Sequence, residues 1–207
     1  MNWANLKNSG LDGWTHFAAL TKSGNSNKDM YENGANCGRC VRVRCSCEQS
    51  QFQGACQGGF KEGKETILMV VDSCPTCHAA GDIDTSTAAW NSITGNEGFS
   101  RYEGTWEFVE CPSNFVTGNA GVRVKPGSSK WWHALQPVNF RHKITKMELN
   151  GEEVPFGVID GFWWVKESET SFPATLVITN SAGDSASITL NESDIVGDKE
   201  FSLGAEL

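Results

Sequence analysis

Short apolar or alternating runs, bounded by Gly, Pro, Asn or Asp, recur along most of the chain. Val41–Cys45, Thr66–Val71 and Thr105–Glu110 are rich in β-branched and aromatic residues and predict strands. Gly121–Lys125, Ile144–Leu149, Phe162–Val165, Ala174–Asn180 and Ala186–Leu190 predict five more, at the spacing of a β-sandwich. Asn150-Gly151, between two such runs, is a hairpin turn signal. One stretch breaks the pattern. In Thr85–Ile93, Ser and Thr precede Ala88-Ala89-Trp90 and Ile93, an N-cap followed by apolar i, i+3 spacing. It predicts a short helix, with Trp90 in the core. The chain reads as all-β with one exception.

The cysteines divide it. All eight lie between Cys37 and Cys111, and the rest of the 207 residues carries none. Ser113–Asn119, polar and containing Gly118, reads as a linker between the two halves. An even number of cysteines in one half points to disulfides and an oxidising, extracellular home. Met1-Asn2-Trp3-Ala4-Asn5 has no signal-peptide pattern, so secretion implies a leader removed ahead of Met1. Zinc is the rival for Cys37-Gly38-Arg39-Cys40, Cys45-Ser46-Cys47 and Cys74-Pro75-Thr76-Cys77, since CxxC pairs serve zinc ribbons. Val41-Arg42-Val43-Arg44 alternates like a strand straight out of the first pair, and compact paired knuckles are absent. The expectation is disulfides, no structural metal and no cofactor. A formal net charge of -8 argues against nucleic acid and against acidic polysaccharides as partners. No stretch is apolar over the length of a transmembrane helix.

The candidate chemistry starts with Trp131-Trp132, which follow Lys125-Pro126-Gly127-Ser128-Ser129-Lys130. Neighbours on a regular strand point to opposite faces, so two adjacent indoles share a surface only on irregular backbone. Pyranose rings present apolar C–H faces, and an exposed indole is a flat surface on which they stack. The bland alternative makes one Trp core and the other its half-exposed neighbour. Among the acids, Asp72 closes an apolar run beside Cys74-Pro75, and Asp82 and Asp84 precede the predicted helix. An acid there also serves as an ordinary helix-start residue, favoured by the dipole.

Several motifs, in order, resemble those of the expansins of microbial type. They are Asn33-Gly34-Ala35-Asn36-Cys37-Gly38-Arg39-Cys40-Val41-Arg42-Val43, Val70-Val71-Asp72-Ser73-Cys74-Pro75 and Gly81-Asp82-Ile83-Asp84-Thr85-Ser86. Val116-Thr117-Gly118-Asn119, Lys125–Trp132, Lys146-Met147-Glu148 and Asp160-Gly161-Phe162-Trp163-Trp164-Val165 follow. The resemblance runs from about Phe17 to Leu190. It implies a six-stranded double-psi β-barrel (residues 1–112, disulfide-rich), a linker (113–118) and an immunoglobulin-like, cellulose-binding β-sandwich (119–207).

The resemblance also implies a secreted, monomeric protein that loosens plant cell walls without hydrolysis. Its partners would be cellulose and related β-glucans, xyloglucan included. Asp84 matches the essential acid and Asp72 a second acid in the same groove. Trp131, Trp132 and Lys125 match the sandwich platform. Gly161 stands where a third aromatic is expected, and strand parity moves that role to Trp163, with Trp164 in the core and Phe162 as the other option. All of Cys37, Cys40, Cys45, Cys47, Cys56, Cys74, Cys77 and Cys111 are expected in bridges. Cys40 with Cys111 would tie the last barrel strand to the first cysteine motif, and Cys45 with Cys56 is a further pairing. The family opens with a strand supplying a Thr hydroxyl and an aromatic ring to the groove. No such strand is legible in Met1–Trp14, where Trp3 or Trp14 are the only candidate rings.

Related inverting endoglucanases place a base in an N-terminal Tyr-Trp-Asp-type motif, and only Asp12 lies in that region here. An acid without a base does not complete water attack. Endoglucanase activity, and a pure carbohydrate-binding or adhesin role, are the alternatives to loosening.

Overall fold

A computed structural model describes residues 15–22, 29–45, 65–77, 79, 81–94, 103–116, 118–157 and 163–205, except the side chains of Asn33, Cys45 and Trp163. They form two compact units. One holds the described residues up to Glu32 together with Arg39–Cys111; the other holds Asn33–Gly38 and Pro112–Leu207.

The first unit contains strands β1 (Phe17–Thr21), β2 (Cys40–Cys45), β3 (Glu65–Cys74), β4 (Ile83–Thr85), helix α1 (Thr87–Thr94) and strand β5 (Gly104–Val109). Their order in the sheet is β4-β1-β3-β2-β5. The central strand β3 is buried on both faces at Leu68, Met69 and Val70, as a near-continuous apolar run requires. It pairs in parallel with β1 and antiparallel with β2. A parallel neighbour needs a long crossover rather than a hairpin. Helix α1 packs Ala89 and Ile93 inward.

Among the described residues the first strand is β1, Phe17–Thr21; Met1–Trp14, where no family strand is legible, lies outside them. Phe17, Ala18, Leu20 and Thr21 are all buried, so the segment shows no alternation. The Thr21 hydroxyl is turned inward, between the carbonyl oxygens of Ala79 at 3.0 Å and Asp82 at 2.6 Å.

The second unit is a two-sheet sandwich. It comprises β6 (Gly121–Val124), β7 (His133–Val138), β8 (Ile144–Leu149), β9 (Glu152–Glu153), β10 (Phe156–Gly157), β11 (Trp163–Lys166), β12 (Ala174–Asn180), β13 (Ser185–Leu190) and β14 (Lys199–Ser202). One sheet runs β10-β11-β7-β6-β14 and the other β13-β12-β8-β9. Val122, Val124, Leu135 and Trp164 from the first meet Met147, Leu149, Leu176 and Ile178 from the second in one core. Asn150 and Gly151 both take positive φ and close β8 onto β9, as the Asn-Gly pair predicts.

Candidate functional site

In the first unit, the register places two acids in one row. Ala19 of β1 is the cross-strand partner of Asp72 on β3 and of Asp84 on β4. Asp72, Ala19 and Asp84 therefore lie abreast on three neighbouring strands, with the two acidic positions separated by two strand spacings, about 10 Å. The register shifts between Ala18 and Ala19, and this irregularity brings Ala19 into line with Asp72. Asp84 is exposed and Asp72 half-buried. Asp72 accepts the Ser73 N–H at 2.8 Å.

Asp84 does not cap the helix. Ser86 does: its Oγ accepts the Ala89 N–H at 3.4 Å and the Phe17 N–H at 3.1 Å, and donates to the Thr15 carbonyl at 2.6 Å. One hydroxyl thus fixes both the helix start and the start of β1. Asp82 has a local task as well, since its Oδ2 accepts the Ala79 N–H at 3.0 Å. With the cap and the turn assigned to neighbours, the helix-start explanation of Asp84 falls away.

Two disulfides occur among the described residues, Cys40–Cys111 and Cys74–Cys77. Neither includes Cys37, which is half-buried in the turn before β2. Cys45 ends β2, its side chain undescribed, and Cys47 and Cys56 lie outside the described residues. Cys74 Sγ lies 3.0 Å from Asp84 Oδ2. A disulfide sulfur has no proton to give, so this is a contact and not a hydrogen bond. Cys74, Cys77 and Asp84 bring three donor atoms within 4.8 Å of one another. The bridge ties up both sulfurs, and thiolate ligation of a metal would require its reduction first. Trp106, on β5, donates its indole N–H to the Gly81 carbonyl at 2.6 Å and meets the Phe108 ring edge-on. Its ring is thus anchored to the loop that leads into Asp82 and Asp84.

In the second unit, two successive turns build the tryptophan display. Pro126 and Gly127 turn the chain first, with the Ser128 N–H on the Lys125 carbonyl. Gly127 has φ +88°, the conformation that a Pro-Gly type II turn demands. Ser129 and Trp132 then pair across a second turn, and Lys130 and Trp131 occupy its tip. Trp131 is 58% exposed. The Lys130 ammonium sits 5.2 Å from its ring centroid and 3.6 Å from Glu169. Trp132 is half-buried against Ala134 and Val165 on the outer face of the sheet. Leu135 and Trp164 point the other way, into the core. The irregular backbone needed to display adjacent indoles is this tip.

Lys125 donates its N–H to the Ala134 carbonyl, which sets it opposite Ala134. Val124 is in the core, so alternation puts Lys125 on the outer face, beside Trp132. Trp163 opens β11 two residues before Val165; its side chain is undescribed, and Gly161 and Phe162 lie outside the described residues.

A family model described as lytic transglycolase matches residues 23–98. Over 87 residues the chain is 38% identical to Expansin-YoaJ of Bacillus subtilis (strain 168), a stretch that is 42% of this chain and 35% of that one. It is 27% identical over 126 residues to Expansin-like protein 1 of Dictyostelium discoideum, covering 59% of this chain and 37% of the relative. The matched stretches thus span little more than a third of these curated relatives. Among solved structures, apo Clavibacter michiganensis expansin superposes with a TM-score of 0.64 at 21% identity, covering 93% of this chain and 96% of that one. An Asp-to-Asn mutant of the same expansin, in complex with cellohexaose, gives 0.64 at 22% identity over 84% and 74% of the two chains.

Over these stretches the chain is similar to microbial expansins and expansin-like proteins. Its fold is the double-psi β-barrel followed by a sandwich, and five barrel strands lie among the described residues. Ala19 was invisible to sequence reasoning, because alanine carries no chemical signature; only the register shows that it separates the two acids. Arg123 was also missed. It lies on the outer face of β6 and grips Asp198 with two hydrogen bonds of 3.0 Å, which hold that carboxyl below its ordinary value. The alternation of Gly121-Val122-Arg123-Val124-Lys125 carried the signal. Asp12, Trp3 and Trp14 fall outside the described residues.

Proposed function

We propose that this chain is a secreted, monomeric protein that binds cellulose and related β-glucans and loosens plant cell walls without hydrolysing them. The observation that carries the reading is the exposed Trp131 on its hairpin tip, beside the outer face of Trp132, Ala134, Val165 and Lys125. Flat rings next to a cationic side chain suit a neutral polymer whose sugars offer C–H faces and hydroxyls. Trp163 is the third ring of this platform. The similar expansin carrying cellohexaose supports the substrate class. The functional division is a barrel through residue 112, a linker over 113–118 and the binding sandwich from 119.

In the barrel, Asp84 acts on a glucan lying along the row and Asp72 is its neighbour. Between them stands a methyl group, which neither donates nor accepts a proton. An exposed Asp84 carboxylate accepts a hydrogen bond from a sugar hydroxyl, and the row supplies nothing at Ala19 to hold an attacking water. The second reading is glycan cleavage, which the description of the matched family model favours.

Wall extension and release of soluble sugars, measured on one preparation, separate the two. Extension without new reducing ends supports loosening; steady release of oligosaccharides from cellulose or peptidoglycan establishes cleavage. Unchanged depletion of the Trp131→Ala, Trp132→Ala variant by microcrystalline cellulose would remove the platform from the account.

A further inference from the structure

Behind the tryptophan hairpin lies a histidine with an unusual environment. His133 follows Trp132 directly and opens β7, and none of its surface is exposed. Its Nδ1 lies 3.2 Å from the Ser129 carbonyl oxygen. That oxygen only accepts, so Nδ1 carries the proton and Nε2 is bare. Nε2 is buried and has no hydrogen-bond partner among the described residues. Across the strand pair stands Lys166, itself buried, with its ammonium committed to Glu152 at 2.6 Å. An unpaired acceptor in such a place is a net cost that an apolar side chain would avoid. A residue kept there at a cost calls for an explanation in what its other nitrogen does.

The other nitrogen holds the hairpin. Ser129 also exchanges both backbone hydrogen bonds with Trp132, so its carbonyl is the point where the two-residue tip is tied off. Two further tethers are of backbone type or nearly so. The Thr170 N–H reaches the Lys130 carbonyl at 2.9 Å, and Ser128 Oγ accepts the Ala134 N–H at 3.3 Å. The His133 imidazole reaches the same Ser129 carbonyl and grips the tip from its buried side.

We infer that His133 is a positioning residue for the platform: its Nδ1–H fixes the Ser129 carbonyl and so sets the pose in which Trp131 meets a sugar. The inference rests on the platform proposed above and deepens it. His133 touches no ligand; it acts through Ser129 on Trp131. An asparagine at 133 presents its amide N–H₂ near the place of Nδ1, whereas glutamine carries it further out and leucine offers no donor.

The test uses the full chain and cellohexaose, with affinity by calorimetry and melting temperature on the same samples. His133→Leu is expected to weaken binding roughly fivefold, the loss of about one hydrogen bond's worth of preorganisation. His133→Gln should weaken it similarly, and His133→Asn should stay within about twofold of the parent. The melting temperature of His133→Leu should not fall in proportion, since the bare Nε2 is relieved at the same time. Parent-like affinity in His133→Leu, or equal weakening in the Asn and Leu variants, overturns the positioning role. Trp131→Ala is the control. If it binds as the parent does, the platform itself is wrong, and that failure is distinct from a failure of His133.

Discussion

The Cys40–Cys111 bridge offers the largest stability effect that can be worked from this structure. Both cysteines are buried, at 0% and 2% exposure, and the bridge closes a separation of 71 residues. On the chain-entropy relation, a closure of that size restricts the unfolded chain by about 4 kcal/mol at 25 °C. The Cys74–Cys77 bridge closes a separation of only 3 residues. The same relation gives it about 1.6 kcal/mol. Removing the first by Cys40→Ala with Cys111→Ala should lower the melting temperature of the barrel by roughly 16–30 °C, and removing the second by roughly 6–13 °C.

Calorimetry of the oxidised parent and the two double variants reads the barrel transition. Retention by cellulose at room temperature reports on the sandwich, which should be untouched. A loss below about 1 kcal/mol for the long bridge, or equal losses for the two, would show that loop closure is not what this bridge supplies.

Asp84→Asn should keep cellulose retention and lose most wall extension, with stability within about 0.5 kcal/mol of the parent because the residue is exposed and caps nothing. Ser86→Ala should cost about 1–2 kcal/mol in urea unfolding, since one hydroxyl serves the helix start and β1 together. Trp106→Phe should cost about 1 kcal/mol, the indole bond to Gly81, with the ring packing on Phe108 retained. For pH, burial holds His133 below its ordinary value of 6.5, reinforced by the Lys166 charge and opposed by the Ser129 bond. The unfolded chain then binds more protons at this site, so its contribution is whole above about pH 6.5 and erodes as pH falls towards the folded value. The melting temperature of His133→Asn should fall less than that of the parent between about pH 6.5 and 5, and parallel curves would contradict the burial.

Where a strand's side chains carry its signal, the sequence reading and the structure agree. Ile144–Leu149 and Ala174–Asn180 were expected with the bounds observed, and Val41–Cys45 was short by one residue. β1 was lost because Ala18 and Ala19 are poor strand formers and the segment is buried on both sides. β7 was lost for a different reason. His133-Ala134-Leu135-Gln136-Pro137-Val138 contains a proline, which argues against a central strand. The structure resolves the conflict locally: β11 pairs only with His133–Leu135, so Pro137 lies past the end of that ladder and pairs on its other side with Val122. The helix began two residues later than Thr85, because Ile83–Thr85 pair with β1 as a strand. Trp90, expected in the core, is half-buried. Among the candidate site residues, the two tryptophans were legible from local sequence and the two acids through the family resemblance. The alignment of Asp72 with Asp84 was not, because it depends on a third strand whose contribution is a methyl group.

The two stacked turns that carry Trp131 have a consequence for how quickly it can act. Pro126 fixes its own φ, Gly127 occupies a conformation few residues tolerate, and Lys130 and Trp131 are held between paired residues. The backbone freedom of the tip is surrendered when the sandwich folds, so meeting a flat surface costs the backbone little further ordering. Such a contact forms without waiting for a loop to rearrange and breaks without leaving one disordered. On the proposed platform, such a tip would meet a flat sugar surface as a rigid stamp, its ordering already complete.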